Sequence, residues 1–258
     1  MIIGDRVFEN YTFVMAIVNL TPDSFFKESR TGADEVLFKV ERAVKDGAAI
    51  IDLGAQSTRP NYVEVSPEEE LERLITPLRL IKRNFNLPVS VDTYFSEVAE
   101  VALKEGADMV NDIWGLSRDN KMAKIIAQAD ASVCIMHNSV TPLVGEVIGQ
   151  VKTFLKDAAD RAVKAGIAAD KICLDGGIGF AKNAKQSTEL LNNYGALKEL
   201  GYPLLLGASR KSLFGGRVED RLPQTLNATR LAARQGVLFV RVHDVKENVG
   251  AIKEVYGY

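Results

Sequence analysis

Short apolar segments and longer amphipathic segments alternate along the whole chain, and this alternation constrains the fold more than any other feature. Eight short segments are rich in β-branched residues and almost continuously apolar, as expected of strands buried on both faces of a parallel sheet. They are Phe13–Leu20, Ala49–Gly54, Pro88–Asp92, Asp108–Asn111, Ala131–His137, Lys171–Asp175, Pro203–Gly207 and Val237–Val242. A segment with helical periodicity follows each of them, so the sequence predicts repeated βα units.

Start and stop signals mark the boundaries of the helical segments. The clearest helix is predicted over residues 67–84, where Ser66 is the N-cap, Pro67 the first helical residue and Glu69 the third. Pro77 lies inside this segment and predicts a kink. Glycines stand where helical segments return to the next strand, which is typical of helix C-caps. They are Gly47, Gly106, Gly166, Gly201 and Gly236.

Eight βα units in 258 residues predict a single (β/α)₈ barrel, the TIM barrel, over residues 1–258. A doubly wound open sheet would show the same alternation. The count of eight, the length near 250 and the lack of any linker favour the barrel. Active sites of such barrels lie at the C-terminal ends of the strands, so we expect function in the loops that follow them.

Composition excludes several classes of protein. Lys and Arg number 32 against 34 Asp and Glu, so the chain lacks the basic excess of a dedicated nucleic-acid binder. Cys134 and Cys173 both lie in apolar runs, which indicates buried reduced thiols in a cytoplasmic protein. The sequence has no apolar run of ~18 residues and no secretory signal, so we expect neither a membrane nor a nucleic-acid partner.

Polar groups follow every predicted strand, and three of them suit a flat heterocycle. Asp92 and Asp175 can accept hydrogen bonds from ring N–H groups, while Asn111 can both donate and accept. Each residue taken singly also fits a helix cap or a turn. Capping explains only one or two polar groups per loop, however, so the full set indicates a binding site. We interpret His137 as a buried histidine with satisfied hydrogen bonds.

Positive charge also gathers after the strands, although the chain has a net charge of −2. This asymmetry predicts a focused anion site, with hydroxyl and imidazole groups assisting the cations. The cations are Arg59, Arg210, Lys211 and Arg241, and the assisting groups are Ser57, Thr58 and His243. Asn19 and Asp23 offer oxygen atoms suited to Mg²⁺. Together these groups predict a ligand that joins a heterocycle to a phosphate or pyrophosphate.

The sequence resembles the dihydropteroate synthase family in seven motifs that occur in the family's order and cover nearly the whole chain. The motifs are NLTPDSF (19–25), STRP (57–60), SVDTY (90–94), NDIWG (111–115), LDGGIGFAK (174–182), LLGASRKS (205–212) and VRVHDVKE (240–247). The resemblance implies a Mg²⁺-dependent homodimeric TIM barrel that is a target of sulfonamides. It implies condensation of 6-hydroxymethyl-7,8-dihydropterin pyrophosphate with p-aminobenzoate, giving 7,8-dihydropteroate and pyrophosphate.

The same resemblance implies roles for individual residues. The implied pterin-binding residues are Asp92, Asn111, Asp175 and Lys211. The implied pyrophosphate-binding residues are Ser57, Thr58, Arg59, Arg241 and His243. The implied residues of the p-aminobenzoate loops are Thr21, Pro22, Asp23, Phe25 and Ser212, and Asn19 is the implied metal ligand. The implied catalytic residues are Asp92, Lys211, Arg241 and His243.

Three other readings of the sequence stay open. A methyltetrahydrofolate methyltransferase shares the pterin-binding barrel but has no pyrophosphate to bind, so the STRP and SRKS motifs argue against it. A pterin-binding protein without synthase activity would not need the metal ligand Asn19. An aldolase barrel would use Lys211 as a Schiff-base lysine, and nothing else in the sequence supports that role.

The first loop departs from the family pattern, and this generates a prediction about inhibitors. Where the family usually has Ser-Asp-Gly-Gly, this chain has Phe26-Lys27-Glu28-Ser29. The substitution removes flexible glycines and adds bulk beside the p-aminobenzoate pocket. We expect sulfonamides to inhibit this chain less than is usual for the family, which dose–response assays against p-aminobenzoate will measure. Ordinary potency would contradict the prediction.

Overall fold

Eight parallel strands close into a barrel in the computed structural model, which describes residues 1–20, 30–56 and 65–258. Around the barrel, each strand pairs with its neighbours in chain order, and the last strand pairs with the first. The strands are β3 (Phe13–Asn19), β4 (Ile50–Gly54), β5 (Val89–Asp92), β6 (Met109–Asp112), β7 (Ser132–Met136), β8 (Ile172–Asp175), β9 (Leu204–Leu206) and β10 (Phe239–Val242). The prediction of a (β/α)₈ barrel is therefore confirmed, and the open sheet is excluded.

The prediction for the fourth barrel strand was wrong by one residue. Asp112 pairs with Ile135 and belongs to β6, whereas Asp108 precedes the strand. The carboxylate of Asp108 accepts the Val89 N–H at 2.8 Å and pairs with Lys82 Nζ at 2.6 Å. Asp108 therefore links β5 to the helix Pro67–Asn84 at the N-terminal end of β6. The carboxylate at the C-terminal end of β6 is that of Asp112.

A short hairpin before the barrel was not anticipated from the sequence. It consists of β1 (Ile2–Ile3) and β2 (Arg6–Val7), which pair antiparallel. Ser132 Oγ donates a hydrogen bond to the Ile2 carbonyl at 2.6 Å. The Phe8 ring that follows packs edge-on against Phe13 at the start of β3. The hairpin therefore covers the N-terminal end of the barrel with apolar side chains.

Helices surround the barrel, and their boundaries follow the local signals. They are α1 (Arg30–Lys45), α2 (Pro67–Asn84), α3 (Ser96–Lys104), α4 (Met122–Gln128), α5 (Val147–Ala165), α6 (Ala184–Asn192), α7 (Leu222–Arg234) and α8 (Val245–Tyr256). Ser66 caps α2 as predicted, accepting the Glu69 N–H at 3.2 Å, and the helix continues through the buried Pro77. All five predicted C-cap glycines have positive φ. No helix within the described residues is long and apolar enough to cross a membrane.

Every second side chain of a barrel strand faces the interior, so the inward-facing side chains stack in layers. One of these layers is apolar, and the next one is largely polar. The apolar layer lies toward the N-terminal ends of the strands and includes Met15, Met109 and Phe239. Asn111 and Arg241 follow two of these residues at a spacing of two, so they face the same interior one step nearer the C-terminal ends. Cys134 and Cys173 pair in register in the apolar layer and are buried, as predicted.

Helix α2 carries a buried carboxyl group that lies against the barrel wall. Glu70 is only 2% exposed, and its carboxyl group is hydrogen-bonded to the Thr93 side chain directly after β5. Burial raises the pKa of Glu70 to about 7, and the nearby Asp92 adds to the shift. The ionised form is therefore less stable in the folded protein than in the unfolded chain.

We expect Glu70→Gln to change how stability depends on pH. Because the folded-state pKa is raised, the wild-type free energy of unfolding should fall as pH rises from about 4.5 to about 7. The neutral amide avoids that loss, so the variant should be more stable by about 1–3 kcal/mol at pH 8.5 and nearly equal at pH 4. Urea unfolding at both pH values measures this, with the exposed Glu72→Gln as control. An equal difference at the two pH values would contradict it.

Candidate active site

A guanidinium group between two carboxylates lies at the C-terminal end of the barrel interior. Arg241 on β10 donates from Nε to Asp52 Oδ2 at 2.5 Å and from Nη2 to Asp92 Oδ2 at 2.7 Å. Asp52 lies on β4 and is fully buried, and Asp92 lies at the end of β5 and is 6% exposed. Asn111 Nδ2 also donates to Asp52 Oδ2, at 3.4 Å. Four strands thus contribute side chains to one polar cluster.

The electrostatics of this cluster leave Asp92 able to change its protonation state near neutral pH. Burial raises the pKa of Asp92 to about 7, although Arg241 opposes the shift. Burial also works against the charge of Arg241, but the two carboxylates hold the pKa of Arg241 above its ordinary value. The Oδ1 atoms of Asp52 and Asp92 are buried and have no hydrogen-bond partner among residues 1–20, 30–56 and 65–258. Unpaired buried acceptors of this kind suit a ligand that brings N–H donors.

Asp175 ends β8 and is held in place by hydrogen bonds. Its Oδ1 accepts the Gly177 N–H at 2.8 Å and lies 2.8 Å from the Tyr194 hydroxyl. That hydroxyl accepts the Gly176 N–H at 2.7 Å and lies 2.6 Å from the Leu205 carbonyl oxygen. Burial raises the pKa of Asp175. Asp175 is therefore oriented by its own turn and by a tyrosine, and its carboxyl group lies beside Gly207.

Lys211 faces the same region from the loop after β9. Its Nζ lies 4.2 Å from the centroid of the Phe180 ring, which is a cation–π contact. Burial lowers the pKa of Lys211 to about 8, while Asp175 and Asp92 favour its charged form. The structure thus brings the predicted residues Asp92, Asn111, Asp175 and Lys211 to one end of the barrel, around the interior.

A buried lysine and histidine lie behind Asp175. Lys182 Nζ is 2.8 Å from His137 Nδ1 and donates to the carbonyl oxygens of Gly177 at 2.9 Å and Phe180 at 3.0 Å. Burial lowers the pKa of His137 to about 4, and the adjacent Lys182 adds to the shift. The interpretation of His137 as a buried histidine with a hydrogen-bond partner is confirmed. Lys182 is the last residue of the LDGGIGFAK motif, but the sequence had given it no role.

Asn19 and His243 lie at the rim, in one cavity of about 480 Å³ between β3, α1 and the start of α8. The ring atom Nδ1 of His243 is 2.9 Å from Ser209 Oγ, and the backbone N–H of His243 donates to the same oxygen at 3.2 Å. Lys39 and Arg42 of α1 also line this cavity, and neither had been expected near the site. The cavity therefore combines an amide oxygen, an imidazole and two cations with three carboxylates, those of Asp46, Asp244 and Glu247. The two cations form ion pairs along α1, Lys39 with Glu35 and Arg42 with Asp46.

The expectation that Arg210 joins the anion site was wrong. Its guanidinium makes two hydrogen bonds to the Asp244 carboxylate, at 2.8 and 2.7 Å. Arg210 has a φ of 53°, so its backbone turns away from the path that a strand or helix would take. The neighbouring Lys211 faces the interior, and Ser212 is exposed at the start of a short 3₁₀ helix, Ser212–Phe214. Adjacent residues of one motif thus have different partners.

Seven of the predicted site residues lie outside the described residues. They are Thr21, Pro22, Asp23, Phe25, Ser57, Thr58 and Arg59. The last residue before each of the two segments, Leu20 or Gln56, is hydrogen-bonded to the barrel or to the chain that follows β5. Leu20 N–H donates to the Gly54 carbonyl oxygen at 2.8 Å, and the Gln56 side chain donates to the Tyr94 hydroxyl. Leu20 and Gln56, the last described residues before the two segments, therefore lie at the C-terminal end of the barrel, where the described site residues gather.

Asp52 and Tyr194 are site residues that sequence reasoning missed. Asp52 stands in the apolar run IIDLG, where one signal was available, because a carboxylate inside a buried strand requires a partner. Tyr194 had no such signal, since its hydroxyl meets Asp175 only after the chain between them folds back. The sequence indicated the strand ends but not the side chains that support them.

Comparisons with known proteins agree with this geometry. The family model described as pterin binding enzyme matches residues 15–243. A dihydropteroate synthase of Clostridium beijerinckii is 42% identical over 97% of this chain and 94% of its own length. The dihydropteroate synthase of Clostridium difficile, solved in the presence of pteroic acid, superposes with a TM-score of 0.93 at 42% identity, covering 97% of both chains. That of Xanthomonas albilineans, solved with 4-aminobenzoic acid, superposes at 0.91 and 35% identity, covering 96% of this chain and 93% of the other.

We expect Tyr194→Phe to destabilise the protein. The change removes the hydroxyl that meets Asp175, Gly176 and Leu205, and it leaves buried polar groups without a partner. The free energy of unfolding should fall by about 1–3 kcal/mol, as measured by urea unfolding. Tyr202→Phe is the matched control, since Tyr202 is half-buried just before β9. Its free energy of unfolding should stay within about 0.5 kcal/mol of the wild-type value. Equal effects of the two changes would contradict the assigned role of Tyr194.

Proposed function

The chain belongs to the dihydropteroate synthases of the pterin-binding enzyme family, and from this membership we propose how its residues carry out the reaction. The enzyme is a transferase of folate biosynthesis. It condenses 6-hydroxymethyl-7,8-dihydropterin pyrophosphate with p-aminobenzoate and releases 7,8-dihydropteroate and pyrophosphate. The observation that carries our account of the site is the contact of Arg241 with two buried carboxylates at the barrel mouth.

We assign the interior cluster to the pterin ring. The ring presents N–H donors along one edge, and the buried Oδ1 of Asp92 is an acceptor with no hydrogen-bond partner in the part of the chain that the structure describes. Asp175 offers a second oriented carboxyl group, and Asn111 can donate and accept from β6, where it pairs in register with Asp92. Lys211 supplies a donor with a lowered pKa beside Phe180. A flat, polar heterocycle thereby exchanges its hydration for fixed partners.

We assign the rim to the pyrophosphate. Arg241 lies at the boundary between the interior and the rim, and His243 lies two residues further along the chain. Ser57, Thr58 and Arg59 are proposed to contact the pyrophosphate from the second loop. Positive charge around the leaving group stabilises it more as its own negative charge grows.

The proposed reaction is dissociative. The bond between the pterin methylene carbon and the pyrophosphate oxygen breaks first, and its electron pair leaves with the pyrophosphate. The cationic methylene that remains is conjugated with the pterin ring, and we assign to the carboxylate of Asp92 the stabilisation of this positive charge. The role of Asp92 requires its ionised form, which the nearby Arg241 favours.

The aryl amine then attacks the methylene carbon. Its nitrogen lone pair forms the new C–N bond, and the proton that nitrogen loses passes to the departing pyrophosphate or to solvent. The amine is neutral at pH 7, so no strong base is required. Thr21, Pro22, Asp23, Phe25 and Ser212 are proposed to surround the p-aminobenzoate. Closure of the loops would keep water from capturing the cation.

Mg²⁺ is proposed as the cofactor, with Asn19 as a ligand. Mg²⁺ keeps several waters and commonly takes only one or two protein ligands together with substrate phosphates, so a single amide oxygen at the rim suits it. The described residues contain no group of three or more His, Cys, Asp or Glu side chains that could hold a metal by themselves. A bound Mg²⁺ supplies charge that stabilises the leaving pyrophosphate.

Assembly and location complete the proposal. We propose that residues 1–258 act as one domain, that two copies form a homodimer and that the enzyme works in the cytoplasm. The buried thiols of Cys134 and Cys173 support a reducing compartment. Inhibition by sulfonamides is proposed on the same basis as binding of p-aminobenzoate, whose shape and charge such compounds share.

The proposed function is tested with purified protein, Mg²⁺, dihydropterin pyrophosphate and p-aminobenzoate. We expect equal amounts of dihydropteroate and pyrophosphate. Arg241→Ala and Asp92→Ala should each lower kcat/KM by about 10²-fold or more, because each removes charge that faces the reacting groups. Arg230→Ala is the control, since this arginine pairs with Glu254 on the helical surface. Pterin binding without either product would instead support a binding protein.

A further inference from the structure

Lys182 is a buried cation that the proposed reaction does not use. The residue is only 9% exposed, and its ammonium group has three partners in the structure. Two are carbonyl oxygens of the chain just after β8, which we call the β8 loop and define as residues 176–182. The third is His137, directly after β7. A buried ammonium is costly unless it is fully paired, and these three acceptors match its three N–H donors. A lysine that is held so completely can fix the position of the groups it contacts.

The β8 loop is pressed against the end of β7. Gly177 has a φ of +67°, and a Cβ atom there would lie 2.0 Å from the His137 carbonyl oxygen. The Gly177 carbonyl accepts both the Phe180 N–H at 3.1 Å and the Lys182 ammonium at 2.9 Å. The ammonium thus closes the loop on itself and joins it to β7.

His137 is a suitable partner because it stays neutral. Burial lowers the pKa of His137 to about 4, so its Nδ1 accepts a hydrogen bond from the ammonium at neutral pH. Burial lowers the pKa of Lys182 to about 7, while Asp175 supports its charge and Lys211 opposes it. The groups that face the pair are thus one carboxyl group and one further ammonium.

Both ends of the β8 loop carry groups assigned to the pterin site. Gly177 donates its N–H to the Asp175 carboxylate, and the Phe180 ring lies against the ammonium of Lys211. Lys182 holds the carbonyl oxygens of these same two residues, Gly177 and Phe180. Its contacts therefore fix the separation between the group that orients Asp175 and the ring that contacts Lys211.

We propose that Lys182 is a positioning residue that clamps the β8 loop to His137 and thereby sets the affinity of the site for the pterin substrate. This inference rests on the proposed function, because it deepens the account of the same site. Lys182 touches no reacting atom and acts through Gly177, Phe180 and their partners. The described contacts of Lys182 are with Gly177, Phe180 and His137, which belong to the pterin side of the site, so the two substrates should respond differently to its loss.

We expect Lys182→Met to raise the KM for dihydropterin pyrophosphate by about tenfold or more and to change the KM for p-aminobenzoate less than about twofold. Fluorescence titration with 6-hydroxymethylpterin should show the same loss of affinity. Lys185→Met is the matched control, since Lys185 is exposed on the first turn of α6. Unchanged pterin affinity in a folded Lys182→Met protein would overturn the proposal.

A second variant separates positioning from stability. In Lys182→Met/His137→Leu both members of the pair become apolar, and such replacements are often neutral or stabilising. We expect the double variant to fold at least as stably as Lys182→Met and to keep the weak pterin affinity, because the two carbonyl oxygens stay unclamped. Recovery of wild-type affinity together with stability would show a purely structural role. If the wild-type protein binds pterin but forms no product, the proposed function is contradicted. The fluorescence titration still tests the role of Lys182, because it measures pterin affinity and does not require the reaction.

Discussion

The contact between Arg241 and the carboxylates of Asp52 and Asp92 is the constraint on which the functional end of the barrel depends. Two carboxylates and a guanidinium inside a closed barrel lose much of their hydration, and a buried pair often fails to recover that cost. The barrel nonetheless keeps three charged groups where apolar side chains would pack. The cluster is therefore better explained by substrate binding than by stability, since two of its carboxylate oxygens lack a partner among the described residues and can accept hydrogen bonds from a ligand.

The barrel separates stability from function by layer. At the N-terminal ends of the strands, Met15, Met109 and Phe239 fill the interior, and the β1–β2 hairpin covers them. Two residues further along β4, β6, β8 and β10, the inward-facing side chains are polar: Asp52, Asn111, Asp175 and Arg241. Because strand alternation repeats every two residues, a single change of residue type per strand is enough to change the layer from packing to binding.

Burial moves acids and bases of the site toward one another in pKa. Asp92 is raised to about 7, while Lys182 is lowered to about 7 and Lys211 to about 8. Groups of this kind change charge in response to small changes in their surroundings, and a bound anion or cation is such a change. Tyr194 and His137 act differently, because they stay neutral and hold charged neighbours in place.

Much of this molecule was predictable from the sequence because the signals are local. Strand alternation, the Ser66 cap and the C-cap glycines depend on residues within a few positions, and they placed eight strands and the ends where Asp92, Asn111 and Asp175 lie. The limits of these signals appear at the fourth strand, which was displaced by one residue, and at the N-terminal hairpin, whose two-residue strands carry too little pattern to be recognised.

The partners of the site residues were decided only by the tertiary structure. Arg241 meets Asp52 across 189 positions of chain, and Lys182 meets His137 across 45. Arg210 and Lys211 are adjacent and alike in charge, yet one pairs with Asp244 and the other faces the interior. The sequence by itself determined which residues reach the C-terminal end of the barrel, because strand period and helix capping are local properties. Barrel closure decided which of them touch, because a pairing between distant strands exists only once the sheet has joined its first strand to its last.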